Sequence, residues 1–442
     1  MAAALLARAQ GRPLLASSAG PSAPGRPRAR WSAAAMAAMF IVGVAVVISR
    51  RPDAVSNPQF WAEDGKNWFA DAYNLGAQAF LKSNEGYLSL LPRLVAAPVT
   101  GMSLGHAALV FNLVGLVMQV APAVFFLSRR FEPLVPSALL RAVMGLAYVV
   151  IPNYEVNVTL TNAQWHLAIL ALMVLIARPA QGIAVKALDA AVLLLCGLTG
   201  PFALILLPAA VARAATVAAR RRWFAGLSAM LLVTLAIQGI AGLMGHRDPV
   251  PPLGISFTNA VAIVADRIVL AATFAENQLH LYTPNGALDR VVAVLICLAA
   301  LGIIGFALVR GGAGLRIFVL ACLAISGLGM LSPIEVRAGM SPWMVLAISD
   351  GGERYFLTAE MAWLVCLVFT ISRIPRRRLR TAAFTCLTAS FASGLFNSWP
   401  YLPYVDMSPA VYSAQLQHAA PGTTLVIPIN PRPEWELTLT RR

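Results

Sequence analysis

Charge is scarce in this chain. Only 12% of its 442 residues are Asp, Glu, Lys or Arg, about half the usual share of a soluble domain, which excludes an ordinary soluble globule. Cysteine is sparse too. Cys196, Cys297, Cys322, Cys366 and Cys386 lie inside apolar runs, with no close pairing and no neighbouring His, so they read as small packed residues rather than disulfide partners or metal ligands. Several motifs of strong chemistry are missing: His-Glu-x-x-His, Cys-x-x-Cys, Gly-x-Ser-x-Gly and a Walker-A loop. Gly311-Gly312-Ala313-Gly314 lacks the Lys that a nucleotide loop needs. Residues 1–30 hold five Arg, no acidic residue and no apolar core of a signal peptide. They are expected to be a disordered, basic cytoplasmic tail.

What is present is apolar: 59% of residues are hydrophobic and the mean hydropathy is +0.72. At roughly 20 residues per span there is room for about ten to twelve transmembrane helices. The net charge of +15 comes from basic clusters between apolar runs. Membrane orientation by the positive-inside rule accounts for them, and a nucleic-acid partner is not expected.

Clear apolar runs cover 31–49, 104–127, 138–152, 163–177, 222–244, 289–309, 315–331, 355–371 and 379–396. Two stretches are ambiguous. Residues 188–212 read as one helix or as two broken at Leu198-Thr199-Gly200-Pro201, and 258–275 carries Asp266-Arg267 in its middle. With the first taken as a pair and the second as an interfacial helix, the inner segments collect most of the Arg and all but two of the acidic residues fall outside. Changing one assignment alone would put Arg376-Arg377-Arg378 outside, against the rule. The expected architecture is an all-α polytopic membrane protein of about 11 transmembrane helices, N-terminus cytoplasmic and C-terminus extracytoplasmic. The bundle spans 31–396, with a long first outer loop at 50–103, and 397–442 form a short outer tail. The Ala- and Arg-rich composition suggests a bacterial plasma (inner) membrane.

Polar and aromatic residues gather in the outer segments, where a site is built most readily. The first outer loop carries Phe60-Trp61-Ala62-Glu63-Asp64-Gly65. Adjacent carboxylates among aromatics have the makings of a general base, while a solvated turn capped by Asp64 is the plainer alternative. Tyr87 lies in Asn84-Glu85-Gly86-Tyr87, and Arg93 beyond it is either a phosphate ligand or a snorkelling interface residue. The next outer loop brings Glu155, then Thr161-Asn162-Ala163-Gln164-Trp165-His166, with His166 either a donor to phosphate or sugar or a polar cap beside an aromatic-belt Trp165. Arg354-Tyr355 open a late span, where a lone cation at a helix start offers an anion both its guanidinium and the helix N-terminus.

Taken together, Glu63-Asp64, Asn162-Ala163-Gln164-Trp165-His166 and Gly352-Glu353-Arg354-Tyr355-Phe356 resemble the GT-C superfamily of membrane glycosyltransferases over about 50–400 in topology. The resemblance implies a multispan bundle with an outer-face active site and a catalytic acid in the first outer loop. It also implies a polyprenyl-phosphate-linked sugar as donor, with membrane lipids around it and a cell-envelope glycan or lipid as acceptor. A large C-terminal soluble domain, as larger members have, is not visible here, so acceptor recognition falls to the outer loops and tail. On this reading the chain is a hexosyl- or pentosyltransferase. Asp64 is the base and Glu63 its support or a contact to the acceptor, with Arg354, Arg93 and His166 around the leaving phosphate. Tyr87, Trp165 and Tyr355 line the substrate. Glu155 is a second acidic contact, or a ligand should a divalent metal take part. Asp64→Asn is expected to abolish turnover with little loss of folded protein. The alternative is a transporter or flippase of lipid-linked sugars, for which the broken element at 198–201 resembles a discontinuous helix.

The tail, with Val426-Ile427-Pro428-Ile429 and Trp435, looks ordered and strand-forming. Packing over the cleft and packing onto the bundle are both open.

Overall fold

The computed structural model describes residues 33–245, 251–275, 287–334, 337–348 and 351–442. The N-terminal tail at 1–30, the polar stretch at 276–282 and Ser349-Asp350 lie outside the described residues. The helices in chain order are α1 (Ala33–Arg50), α2 (Leu90–Val99), α3 (Leu104–Phe126), α4 (Ala138–Val149), α5 (Ala163–Ile176), α6 (Ile183–Gly197), α7 (Ala203–Thr216) and α8 (Arg221–Met244). They continue as α9 (Phe257–Phe274), α10 (Ala287–Arg310), α11 (Ala313–Leu331), α12 (Pro342–Ile348), α13 (Leu357–Ser372), α14 (Arg377–Asn397) and α15 (Pro409–His418). The described residues are mostly helical, and an antiparallel hairpin, β1 (Thr424–Pro428) and β2 (Glu436–Thr440), closes the chain in the tail that the sequence marks as strand-forming. There, alternating Leu425, Ile427, Leu437 and Leu439 suit a two-residue period.

Six of these helices are long and apolar enough to cross a membrane by length and composition, among them α1, α3, α10 and α11. The outward faces of the bundle are apolar, with Ile41 65% exposed and Leu301 66%, while Asn112, Gln119, Arg141 and Asp189 are buried among apolar side chains. An apolar exterior with the polar side chains held inside suits a lipid environment. The five cysteines are free, and Cys386 departs from the packed-core expectation by lying exposed on α14.

Residues 188–212 form two helices. Gly200 (φ +85) and Pro201 end α6 and start α7, a conformation an L side chain rarely adopts. A Cβ on Gly200 would stand 2.6 Å from Gln164 Oε1.

Hydrogen bonds show which helix ends meet. Arg50, at the C-terminus of α1, donates to the carbonyls of Val150 (2.7 Å), Ser398 (3.1 Å) and Trp399 (3.1 Å), and Ser398 Oγ donates to Ala275 O (2.9 Å). The C-terminal ends of α1, α4, α9 and α14 therefore lie together. At the opposite end Arg130 forks onto Asp189 (2.7 Å twice) and donates to Arg178 O (2.8 Å). Arg213 caps Leu175 and Ile176 O (both 3.1 Å). Followed in order, α1, α3 to α8, α10, α11, α13 and α14 run alternately toward and away from the Arg50 end.

Helix α9 corrects the expectation of a surface helix at 258–275 laying an apolar face on lipid. Although long and apolar enough to span, it is buried over most of Val261–Ala272, including Asp266 (5% exposed) and Arg267 (3%), and is π-helical over Ile263–Leu270. Both flanks are tied to the Arg50 end: Ala275 through Ser398, and Leu253 through Trp343, whose indole also donates to Met330 O at the end of α11 (2.9 Å). Placing Asp266 and Arg267 inside protein spares lipid two charges, the physical reason this segment is enclosed.

Candidate active site

Three segments far apart in sequence build one site at the Arg50 end. The first is 57–69, where Ala62 (φ +47) is forced into the left-handed region and its N–H donates to Asn430 O (2.5 Å). Asp64 then opens a π-helix, Asp64–Phe69. Glu85 (φ +50) and Val158 (φ +58) are similarly strained nearby. Non-glycine residues hold such angles only when their surroundings over-determine them, and such residues concentrate at functional sites. The second segment, 153–162, approaches α3 closely at Gly115, where a Cβ would lie 2.9 Å from the Thr159 backbone. The third is 351–356.

The second and third segments clasp each other reciprocally. Glu155 accepts from the N–H groups of Gly352 (3.0 Å) and Arg354 (3.0 Å) and from Arg354 Nη1 (3.1 Å). In return Glu353 accepts from Tyr154 N–H (2.6 Å), and its own carbonyl accepts from Asn153 Nδ2 (2.8 Å). Arg354 Nη2 also donates to Tyr355 OH (3.2 Å), which accepts from Ile334 N–H (2.9 Å). This guanidinium is therefore held in one orientation before any ligand arrives.

These segments enclose a cavity of about 760 Å³. Of the residues expected in the site, Glu63, Tyr87, Glu155, Trp165, Arg354 and Tyr355 line it together. Trp165 meets Tyr355 and Phe202 edge-on, with ring centroids at 5.7 and 5.5 Å. The wall then changes character. Leu204 and Ile205 of α7, Leu235 of α8 and Leu328 of α11 continue the cavity as an apolar flank.

Three expected site residues stand elsewhere. Asp64 faces away from the cavity: it is 1% exposed, and its oxygens accept from Thr161 N–H (2.7 Å) and Leu160 N–H (3.3 Å). Arg93 is 2% exposed, paired with Asp71 (2.8 Å) and lying over the Trp68 ring at 4.8 Å, so it braces the first loop. His166 is 1% exposed. Its Nε2 must donate to Val156 O (3.0 Å), a pure acceptor, so Nδ1 accepts from Tyr148 OH (2.5 Å). With both ring nitrogens engaged, it fixes the 153–162 loop to α4 and offers nothing to a ligand.

Enclosure sets the acid–base character. Glu63 accepts from Thr161 Oγ1 (3.4 Å). Burial raises its pKa above the ordinary carboxylate range, with Arg354 pulling the other way and Glu155 adding to the rise. Asp64 is pushed well up by burial against its two backbone donors. The Tyr87 hydroxyl is pushed up to about 12 by burial, which keeps it a neutral hydrogen-bonding group.

A divalent metal fits poorly. Glu155 is committed to Arg354 and two backbone donors, and among the described residues no three His, Cys, Asp or Glu stand together as a ligand set.

Trp435, noted in the sequence without a place in the site, lines the cavity beside Pro431, and sequence reasoning missed Glu434 next to it and the reciprocal part of Glu353. The signal for the tail was the Pro431-Arg432-Pro433 turn between two alternating runs. No family model, curated protein or solved structure matches the chain.

Proposed function

We propose that this protein is a membrane glycosyltransferase that moves a sugar from a polyprenyl-phosphate donor to a cell-envelope glycan or lipid acceptor at the outer face of the membrane. The observation that carries the reading is one cavity joining a half-buried carboxylate, a pre-oriented guanidinium and an apolar flank between helices. A lipid-linked sugar phosphate has those three parts: a reacting carbon beside an acceptor hydroxyl, a phosphate and a hydrocarbon chain. In the proposed topology α1, α3 to α8, α10, α11, α13 and α14 are eleven spans, and the Arg50 end faces outward. The shorter helices among them cross as members of the bundle.

In this scheme Glu63, rather than Asp64, is the base. Its carboxylate takes the proton of the acceptor hydroxyl as that oxygen bonds to the sugar carbon. The bond from that carbon to the phosphate oxygen breaks, and the electron pair leaves on the lipid phosphate, whose charge Arg354 stabilises. Asp64 positions Glu63 by locking the next residue of the loop to Thr161.

Transport is the second reading, and the buried Arg267, Glu353 and Glu360 favour it, since intramembrane charges often mark pathways. Arg267 and Glu353 lie 3.7 Å apart, and Glu360 sits in the first turn of α13. All are near the site end rather than at mid-depth, which weighs against a midplane transport site.

The test is a paired mass-spectrometric profile of envelope glycans and polyprenyl-linked sugars in cells carrying native protein or Glu63→Gln at matched abundance. The expected result is a glycan lacking one sugar with its lipid-linked donor accumulating. Unchanged profiles where the gene is expressed would remove Glu63 as the base and move the weight to transport.

A further inference from the structure

The tail reaches the cavity by a definite route. Leu104 N–H donates to Ser413 Oγ (2.9 Å), which seats α15 on the start of α3, and Asn74 brackets β2 through Thr438 O (2.9 Å) and Thr440 N–H (3.0 Å). Ile427, Leu437 and Leu439 are buried beneath the hairpin. The turn between the strands is thereby held against the first loop. Asn430 O takes the Ala62 N–H one residue before Glu63, and a Cβ on Gly65 would lie 2.7 Å from Ile429. At that position Trp435 and Glu434 enter the cavity wall. Lys66 Nζ stands 5.1 Å from the Trp435 ring centre and helps set its orientation.

Glu63 lies between two neighbours. On one side is Thr161, at the start of α5. On the other is the tail turn, bonded to Ala62. If the donor phosphate sits at Arg354, beside Glu155 and the apolar flank, the acceptor must approach Glu63 from the tail. An indole and a carboxylate there are a fitting pair for a sugar ring, the indole taking its C–H face and the carboxylate its hydroxyls. Glu434 beside Trp435 puts a carboxylate at that turn, and Glu85 also lines the cavity; both add negative charge, which disfavours an acidic glycan.

We infer that the turn 430–435 forms the acceptor subsite, and that Trp435 and Glu434 bind a neutral, hydroxyl-bearing sugar ring there. This rests on the transferase reading for the word acceptor, but the subsite itself is testable by binding. Full-length protein in lipid nanodiscs is to be probed by saturation-transfer NMR with neutral di- and trisaccharides of hexoses and pentoses, and with trigalacturonate. The expected result is saturation of at least one neutral saccharide, with affinity reduced about tenfold in Trp435→Ala and several-fold in Glu434→Gln. Trigalacturonate should bind better to Glu434→Gln than to native protein. No neutral saccharide bound by native protein, or equal affinity in Trp435→Ala, would overturn the inference. If Trp435→Ala does not fold, unchanged affinity in Glu434→Gln, an exposed residue, overturns it instead. Saccharide binding without any transfer in the cellular assay would sink the transferase and leave the subsite standing. Transfer that Trp435→Ala leaves intact would do the opposite.

Discussion

The two ends of this bundle bury the same kinds of side chain to different purposes. At the end away from the cavity, Arg130 forks onto Asp189, Arg213 caps the last carbonyls of α5, and Arg141 donates to Val135 O at 2.5 Å. Each of these arginines finishes in a carboxylate or a backbone carbonyl, which holds helices and turns together. At the other end Glu63 and Arg354 face a cavity of about 760 Å³, while their neighbours Asp64 and Glu353 take up backbone donors. A buried charge identifies a site only when part of its bonding capacity points into space a ligand can fill.

The sharpest test of this contrast is Glu63→Gln. On the proposed transferase reading it should lower the rate of sugar transfer by roughly 10²- to 10⁴-fold, read by single-turnover transfer on purified protein, with the unfolding midpoint unchanged. A near-native rate would place Glu63 with the structural charges. Next in size, Arg130→Ala leaves Asp189, 3% exposed, without its partner. A cost of about 3 kcal/mol in stability is expected, measured by denaturant unfolding in detergent, with the transfer rate per folded molecule preserved. A selective loss of rate would mean that the two ends are coupled.

Asp64→Asn is the intermediate case. The amide keeps one acceptor oxygen but turns an NH₂ toward a backbone donor, so we expect about 1–3 kcal/mol of destabilisation and reduced folded yield as well as slower transfer. This revises the sequence-based expectation of a clean loss of turnover. The smallest effect is in pH. In the proposed scheme Glu63 acts as base and must be ionised, so activity is present above its folded pKa and lost as pH falls through it. Because burial raises that pKa, the acid limb of the rate profile should lie above the ordinary range of a carboxylate near 4.3, and Arg354→Gln should move it higher still by removing a neighbouring positive charge. A limb at or below 4.3 would point to a solvated carboxylate.

Much of the fold was legible because it is periodic or local. Apolar runs mark the helices, and Gly200-Pro201 marks the break between α6 and α7. Glu63, Tyr87, Glu155, Trp165, Arg354 and Tyr355, which line one cavity, stand out in the sequence because polar and aromatic residues at loop–helix junctions are few in so apolar a chain. Arg93, His166 and Asp64 carry the same local signal and were misplaced with it. Their partners, Asp71, Tyr148 and the Thr161 amide, follow no sequence spacing that could have paired them in advance.

By itself, then, the sequence determined the membrane class, the helix pattern and the short set of polar residues from which a site had to be made, since hydropathy and backbone geometry act over a few neighbouring residues. Only the tertiary structure decided that Glu63 and not Asp64 faces the cavity, that Asp266 and Arg267 are enclosed in protein, and that Trp435 comes beside the first loop. Those outcomes depend on which distant backbone groups reach a side chain first, and adjacent residues in one turn are turned by it to opposite sides.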